Sequence, residues 1–391
     1  MSRGDHAVRH VCFLTGTRAD YGKLKPLIRG AASLDTVRVT VVATGMHLLE
    51  RYGSTVIEVR RLQPDVRVVE FPNQTERDSG AETLERILAN TVAGLADLID
   101  RDRPDLLVVH GDRVEALAGA SAGALRNVAV AHVEGGELSG TIDGILRHAV
   151  SKLSHLHLVA NDEAARRVIQ LGEDPDTVFV IGSPDIDIML SEDLPPLPQV
   201  LADYEIPFED YSLVLFHGVT SEPVEAIRSA AEALIAALRR FGGNAVVVYP
   251  NNDPGSEQIL HAYGAFAGDQ RVRVFPSVRF EAFLTLLRHS RMLVGNSSAG
   301  VREAPIYGVP SVNIGNRQRG RHRHPTIIDA EPSEDEILNA LRQASAMGRA
   351  DTHLHWGTGR SAECFRELLA GDRIWRLGDD KVFRDLVFHE D

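Results

Sequence analysis

Two cysteines in 391 residues, Cys12 and Cys364, are too few for a disulfide framework, and a reducing cytoplasm is the expected setting. No apolar run approaches the ~20 residues that a membrane span requires. The opening MSRGDHAVRH carries charge where a secretory leader needs a continuous apolar core. Basic residues are outnumbered 42 to 55, and a formal charge of −13 leaves no excess of cations for general nucleic-acid binding. A small anionic ligand is still allowed, because local arginines and helix N-termini hold phosphate in acidic proteins too. HExxH and paired-cysteine motifs are missing, which leaves no sequence support for a metal centre.

What the chain does have is strand–helix alternation. Apolar runs at Val8–Leu14, Val37–Ala43, Val66–Phe71, Leu106–Val109, Val128–Val133, His157–Ala160 and Val178–Ile181 read as buried parallel strands. A second series follows at Leu213–Phe216, Ala245–Tyr249, Val272–Phe275, Met292–Val294 and Ser311–Ile314. Leu84, Ile87, Leu88, Thr91, Leu95, Leu98 and Ile99 keep helical spacing between strands. The pattern predicts an α/β chain of two Rossmann-like domains, 1–190 and 199–350. Ser191–Pro198, with prolines at 195, 196 and 198, is expected to be a stiff linker that stops regular structure. The polar stretch from Pro72 to Gly80 reads as solvated connection, with a mobile loop over a cleft as the alternative.

Ligands of an open parallel sheet bind beyond the carboxyl ends of its strands. His110-Gly111-Asp112-Arg113 and Glu134-Gly135-Gly136-Glu137 follow two of these strands, and Asp143, Arg147 and His148 come next. Asp112, Glu134, Asp143, Arg147 and His148 are therefore expected to converge as a catalytic group, a structural ion-pair network being the alternative. The first strand runs into Gly16-Thr17-Arg18, which is not a GxGxxG turn, ahead of a helix from about Lys23. Arg18 is an anion contact or an ordinary surface arginine. Asn296–Gly300 lies between a strand and an expected helix, where Ser297 and Ser298 suit a phosphate or cap the helix. His110, His132, His148, His155 and His157 read as supporting residues rather than metal ligands; His155 and His157 alternate to opposite faces of a strand.

GTRADYGK at 16–23, HGDR at 110–113, HVEGGE at 132–137, SGTID with Arg147-His148 beyond it, and GNSSAGVREAP at 295–305 occur in this order. Together they resemble the UDP-N-acetylglucosamine 2-epimerases, and in particular the hydrolysing branch. The resemblance implies a GT-B architecture with a substrate cleft between the domains, and a C-terminal segment, 351–391, returning to the first domain. It implies release of N-acetylmannosamine and UDP by elimination and hydration, with Asp112, Glu134 and Asp143 as the acids and Arg147 and His148 tuning them. Arg18, Lys23, Arg113, His217, Ser297 and Ser298 would hold the diphosphate and sugar, Glu303 the ribose, and the backbone around Phe275 the uracil. Neither a cofactor nor a metal is implied, and a cytoplasmic homodimer or homotetramer is expected. A UDP-linked 2,4-diacetamido sugar or a GDP-linked sugar as substrate, a GT-B glycosyltransferase and a nucleotide-sugar sensor are the alternatives. Asn251–Asp253, Gln318 and Arg317–Arg323 are candidates for the pocket that selects the sugar.

Overall fold

The structure is a computed structural model that describes residues 8–75, 83–139, 142–219, 222–251, 253–376 and 381–385. Its first sheet holds β1 (Arg9–Thr15), β2 (Val37–Ala43), β3 (Arg67–Glu70), β4 (Leu106–His110), β5 (Ala129–Val133), β6 (Leu156–Val159) and β7 (Val178–Val180). The second holds β8 (Tyr211–Leu215), β9 (Asn244–Val248), β10 (Val272–Phe275), β11 (Leu293–Gly295), β12 (Ser311–Ile314) and β13 (Ile327–Ala330). The orders are β3-β2-β1-β4-β5-β6-β7 and β10-β9-β8-β11-β12-β13. Every pairing is parallel, with Val11 beside Leu106 in the first sheet and Leu213 beside Leu293 in the second. Each sheet is doubly wound, so each has a switch point, between β1 and β4 and between β8 and β11, where a crevice opens.

Both faces of each sheet are covered, which is why the strands are mostly apolar rather than strictly alternating. Val11 and Phe13 of β1 pack under the helices Arg18–Ala32 and Ser361–Ala370, whereas Cys12 and Leu14 face Leu84–Asp102 and Val114–Leu125. Ser361–Ala370 brings the C-terminal region onto the first sheet. Its Phe365 meets Phe13 edge-on with ring centres 6.1 Å apart, and Asp187 accepts the N–H groups of Ser361 and Ala362 at 2.9 and 2.7 Å. Lys381 continues along the same half, 2.6 Å from Glu173 Oε2. Residues 377–380 and 386–391 of the expected return lie outside the described residues.

Several details differ from the sequence reading. The first helix starts at Arg18, not Lys23, because Thr17 and Asp20 form a capping box: Thr17 Oγ1 accepts the Asp20 N–H at 3.2 Å and Asp20 Oδ1 accepts the Thr17 N–H at 2.9 Å. Residues 191–196 hold no helix or strand, as expected of the linker, but regular structure resumes before its end. Leu197–Asp203 is helical with Pro198 in its first turn, where no N–H partner is lost, and Pro195 O accepts from Thr285 Oγ1 at 2.8 Å. Asn73 and Gln74, at the start of the Pro72–Gly80 connection, are buried, and Asn73 Oδ1 accepts the Gly45 N–H at 3.0 Å. Residues 76–80 of that connection lie outside the described residues. Ser298–Gly300 is a single 3₁₀ turn rather than the start of an α-helix, and the next turn, Ala304–Tyr307, is 3₁₀ as well. Among the described residues no helix is long and apolar enough to cross a membrane.

Candidate active site

The carboxyl ends of the two sheets face each other across a cleft, and the halves touch beside it. A Cβ on Gly22 would sit 2.8 Å from Phe280 Cβ, so only glycine lets the first helix approach the helix Phe280–His289 this closely. Lys25 pairs with Glu281, and Arg18 Nη1 donates to Ser277 Oγ at 2.6 Å.

Two cavities adjoin at the switch points. One, of about 190 Å³, is lined largely by apolar groups, among them Met46, Val248, Tyr249, Val278 and Phe283. The other, of about 230 Å³, is polar and takes Asp112, Arg113, Asp143, Arg147, Arg317 and Arg321. Lys23, His217, Ser297 and Ser298 line both and mark where they join.

Beneath the junction is a buried ionic cluster contributed by both halves. Lys23 Nζ lies 2.9 Å from Asp185 Oδ2, 3.3 Å from Glu303 Oε1 and 3.9 Å from Glu134 Oε2. Arg302 Nη2 lies 2.6 Å from Glu134 Oε1, Nη1 pairs with Glu137, and the guanidinium stacks 4.7 Å from the Trp356 ring centre. The Ser183 hydroxyl sits between Glu134, Asp185 and Arg302. Glu134 follows β5 with φ at +64°, a left-handed backbone that a glutamate adopts only under constraint from its surroundings. Burial raises the Glu134 carboxyl, but Arg302, Lys23 and His110 overcome it and hold the group well below the usual range. Burial wins at Glu303, whose carboxyl is raised. Glu303 is pushed further up by the neighbouring carboxylates Asp185 and Glu134, against the pull of Lys23 and Arg302. Its Oε2 is buried without a hydrogen-bond partner among the described residues, and the side chain lines the apolar cavity.

Asp112, on the rim of the polar cavity, pairs with Arg147. Burial works to raise its carboxyl, and Arg147, Arg321, His110 and Arg317 outweigh that and lower it. Asp143 Oδ2 is 3.8 Å from Arg317 Nη2. His217 accepts the Asn251 N–H on Nδ1 at 3.1 Å, and burial, with Arg317 adding to it, pushes the imidazole down to about 3. Its folded value lies below the ordinary 6.5, so the unfolded chain binds the extra proton between the two. The stability it contributes is complete above pH 6.5 and is lost as pH falls, by about 1.4 kcal/mol per unit. The His217 ring resonances should accordingly stay unshifted in an NMR titration from pH 8 to 5; a midpoint near 6.5 would contradict this environment.

One expected site residue, His148, is placed away from both cavities, and at Phe275 the neighbouring backbone rather than the ring borders the site. His148 lines neither cavity: successive helical residues point about 100° apart, so Arg147 faces the cleft and His148 does not. The Phe275 ring packs edge-on to Tyr204 at 5.5 Å, and the residues after it, Pro276–Val278, form the wall of the apolar cavity. Arg18 lines the apolar cavity and Arg113 the polar one, where Arg113 Nε is 3.3 Å from Glu115 Oε2. His132 and His157 are buried supports, with His132 Nε2 2.8 Å from Gly111 O and His157 Nε2 3.0 Å from Glu173 Oε2.

A family model described as UDP-N-acetylglucosamine 2-epimerase matches residues 31–370. The chain belongs to the UDP-N-acetylglucosamine 2-epimerase family. A relative from Neisseria meningitidis named UDP-N-acetylglucosamine 2-epimerase is 43% identical over 97% of this chain and all of its own length. A Legionella pneumophila relative named UDP-N,N'-diacetylbacillosamine 2-epimerase (hydrolyzing) is 30% identical over 93% of this chain and 96% of its own. Crystal structures of UDP-GlcNAc 2-epimerases from N. meningitidis, bound to UDP-GlcNAc, and Methanocaldococcus jannaschii, in complex with UDP-GlcNAc and UDP, share the fold. Their TM-scores are 0.75 and 0.77 at 17% and 19% identity, each covering 92% of this chain and 99% of the other. The architecture is thus the GT-B-like one of these epimerases.

Within this epimerase cleft, sequence reading missed Arg302, Asp185 and Ser183. Arg302 was visible inside the GNSSAGVREAP stretch, and Gly182-Ser183-Pro184-Asp185 follows β7 as the other site loops follow their strands. Of Arg317–Arg323, Arg317 and Arg321 reach the polar cavity, whereas Arg323 is exposed beside Asp329 and Gln318 Nε2 binds Asn296 O at 2.7 Å. Asn251 and Asp253 line the polar cavity, and Asn252 lies outside the described residues.

Proposed function

We propose that this chain is a hydrolysing UDP-N-acetylglucosamine 2-epimerase that converts UDP-GlcNAc and water into N-acetylmannosamine and UDP. The observation carrying the reading is the pair of joined cavities: an apolar slot of nucleobase size opening onto a pocket where carboxylates, Asp112 and Asp143 among them, lie among arginines. The diphosphate would sit at the junction, against Ser297, Ser298 and His217, with Glu303 offering its unpartnered oxygen to the ribose. A carboxylate, for which we favour Asp112, takes the C2 proton; the C–H electrons form the C1–C2 double bond and the C1–O bond breaks toward UDP. Arg147, Arg317 and Arg321 stabilise the departing phosphate charge. Engaging them with phosphate also loosens their hold on Asp112, which makes it a stronger base once substrate is bound. Hydration then adds hydroxide to C1 and returns a proton to C2 on the opposite face.

The hydrolysing branch is favoured by the Legionella relative, and by a Campylobacter jejuni relative named GDP/UDP-N,N'-diacetylbacillosamine 2-epimerase (hydrolyzing), 28% identical over 86% of the chain. Those names also make a diacetamido sugar the second reading; UDP-GlcNAc is preferred because the 43% identical relative carries that name. Product analysis separates these readings. Free UDP with N-acetylmannosamine is expected from UDP-GlcNAc. UDP-N-acetylmannosamine with no free UDP would overturn the hydrolytic step, and faster turnover of the UDP-linked diacetamido sugar would favour the second reading.

A further inference from the structure

Four histidines gather outside the cleft, where the proposed reaction has no use for them. His322 and His324 come from the loop between β12 and β13, and His353 and His355 from the segment ahead of Ser361–Ala370. The Nε2 atoms of His322 and His353 are 3.0 Å apart. The ring of His355 lies 3.8 Å from that of His322 at an angle of 13°, and the His324 ring is 4.5 Å from His353. One ligand nitrogen from each of His322, His353 and His355 falls within 4.8 Å of the other two; among the described residues no other such group of metal-ligating side chains occurs. A tetrahedral zinc site with Zn–N bonds near 2.0–2.1 Å needs nitrogens ~3.4 Å apart, a spacing this group can reach once the rings, now nearly parallel, turn their lone pairs toward one ion.

The chemistry of the group fits a borderline cation. Neutral rings keep the lone pair that ligation uses, and imidazole sets suit zinc and its neighbours rather than magnesium. Glu163 Oε2, from the helix Asp162–Gln170 of the first half, is 3.7 Å from His355 Nε2 and brings an anion to the open side.

The position ties this group to the cleft without placing it there. His322 directly follows Arg321, which lines the polar cavity, and His355 directly precedes Trp356, on which Arg302 stacks. We propose that His322, His353 and His355 bind a divalent transition-metal ion of the zinc class, and that the ion fastens the Arg317–Arg321 loop to the segment crossing between the halves.

The test uses the full chain without a histidine tag, stripped with chelator, then titrated calorimetrically with Zn²⁺ and followed with Co²⁺ by visible absorption. One equivalent of Zn²⁺ should bind, competed by Co²⁺ with tetrahedral d–d bands and not by excess Mg²⁺. His353→Ala and His355→Ala should each weaken Zn²⁺ by at least about tenfold, whereas Asp112→Asn, in the cleft, should not. His322→Asn, the milder change, serves if an alanine variant fails to fold. Zn²⁺ should also slow amide exchange in 316–325 in the unaltered chain but not in His353→Ala. Absence of saturable Zn²⁺ binding, or equal affinity in the unaltered chain and the histidine variants, would overturn the site. Unchanged amide exchange with Zn²⁺ bound would overturn the fastening.

Discussion

Arg302→Ala is expected to lower the unfolding free energy by about 3–5 kcal/mol, the cost of breaking a buried ion pair from one side. Arg302 faces Glu134 and Glu137 directly and lies 4.0 Å from Asp185, all buried. Lys23 alone cannot compensate them, and alanine admits too little water to do so. The deficit has a defined pH dependence. In the unaltered chain the folded Glu134 carboxyl lies below its ordinary value, so its contribution is present above pH ~4.3 and is lost only as pH falls through the folded value. Without Arg302 the same carboxyl is raised by burial, and the variant regains stability as pH falls and the acid takes a proton. The difference between the two proteins, followed by urea unfolding in near- and far-UV circular dichroism, should therefore shrink from pH 7 to pH 5.5. A difference below 1 kcal/mol, or one that widens on acidification, would mean that the cluster does not depend on Arg302.

Asp112→Asn should reduce the rate of UDP release by about 10²–10⁴-fold, the usual worth of a positioned base. Asparagine keeps an oxygen to accept from Arg147, so the rim of the cavity retains its shape. Affinity for UDP should stay within a few-fold, because the groups proposed to hold the diphosphate, Ser297, Ser298 and His217, are untouched. Steady-state kinetics beside calorimetry with UDP distinguish the outcomes. A tenfold or smaller loss of rate would move the base to Asp143 or Glu134; a parallel loss of UDP affinity would make Asp112 a binding residue.

The reading of the sequence succeeded where information is local. Apolar runs bounded by polar turns located β1, β2 and β4 within a residue, because strands covered on both faces carry few polar positions in their middles to confuse the pattern. β13 escaped because Ile327–Ala330 is short, partly exposed and preceded by arginines and histidines. The start of the first helix was legible in Thr17-x-x-Asp20 and was overlooked. The failures at the site share another cause. Arg302 becomes the main partner of Glu134 only when chain segments 168 residues apart meet, and no local pattern announces that. Arg147 and His148 are adjacent in sequence, and only the phase of the helix decides which one reaches the cleft. His322 and His353 are 31 residues apart; each His-x-His pair is visible, but their meeting depends on the C-terminal return across both halves.

The central claim, that the C2 proton is removed as UDP departs, is tested most directly by turnover of UDP-GlcNAc in D₂O. Proton NMR of the released sugar should show N-acetylmannosamine with deuterium at C2, formed together with one equivalent of UDP. N-acetylmannosamine that keeps its original C2 proton, or N-acetylglucosamine released without exchange, would contradict the elimination route and with it the role given to Asp112.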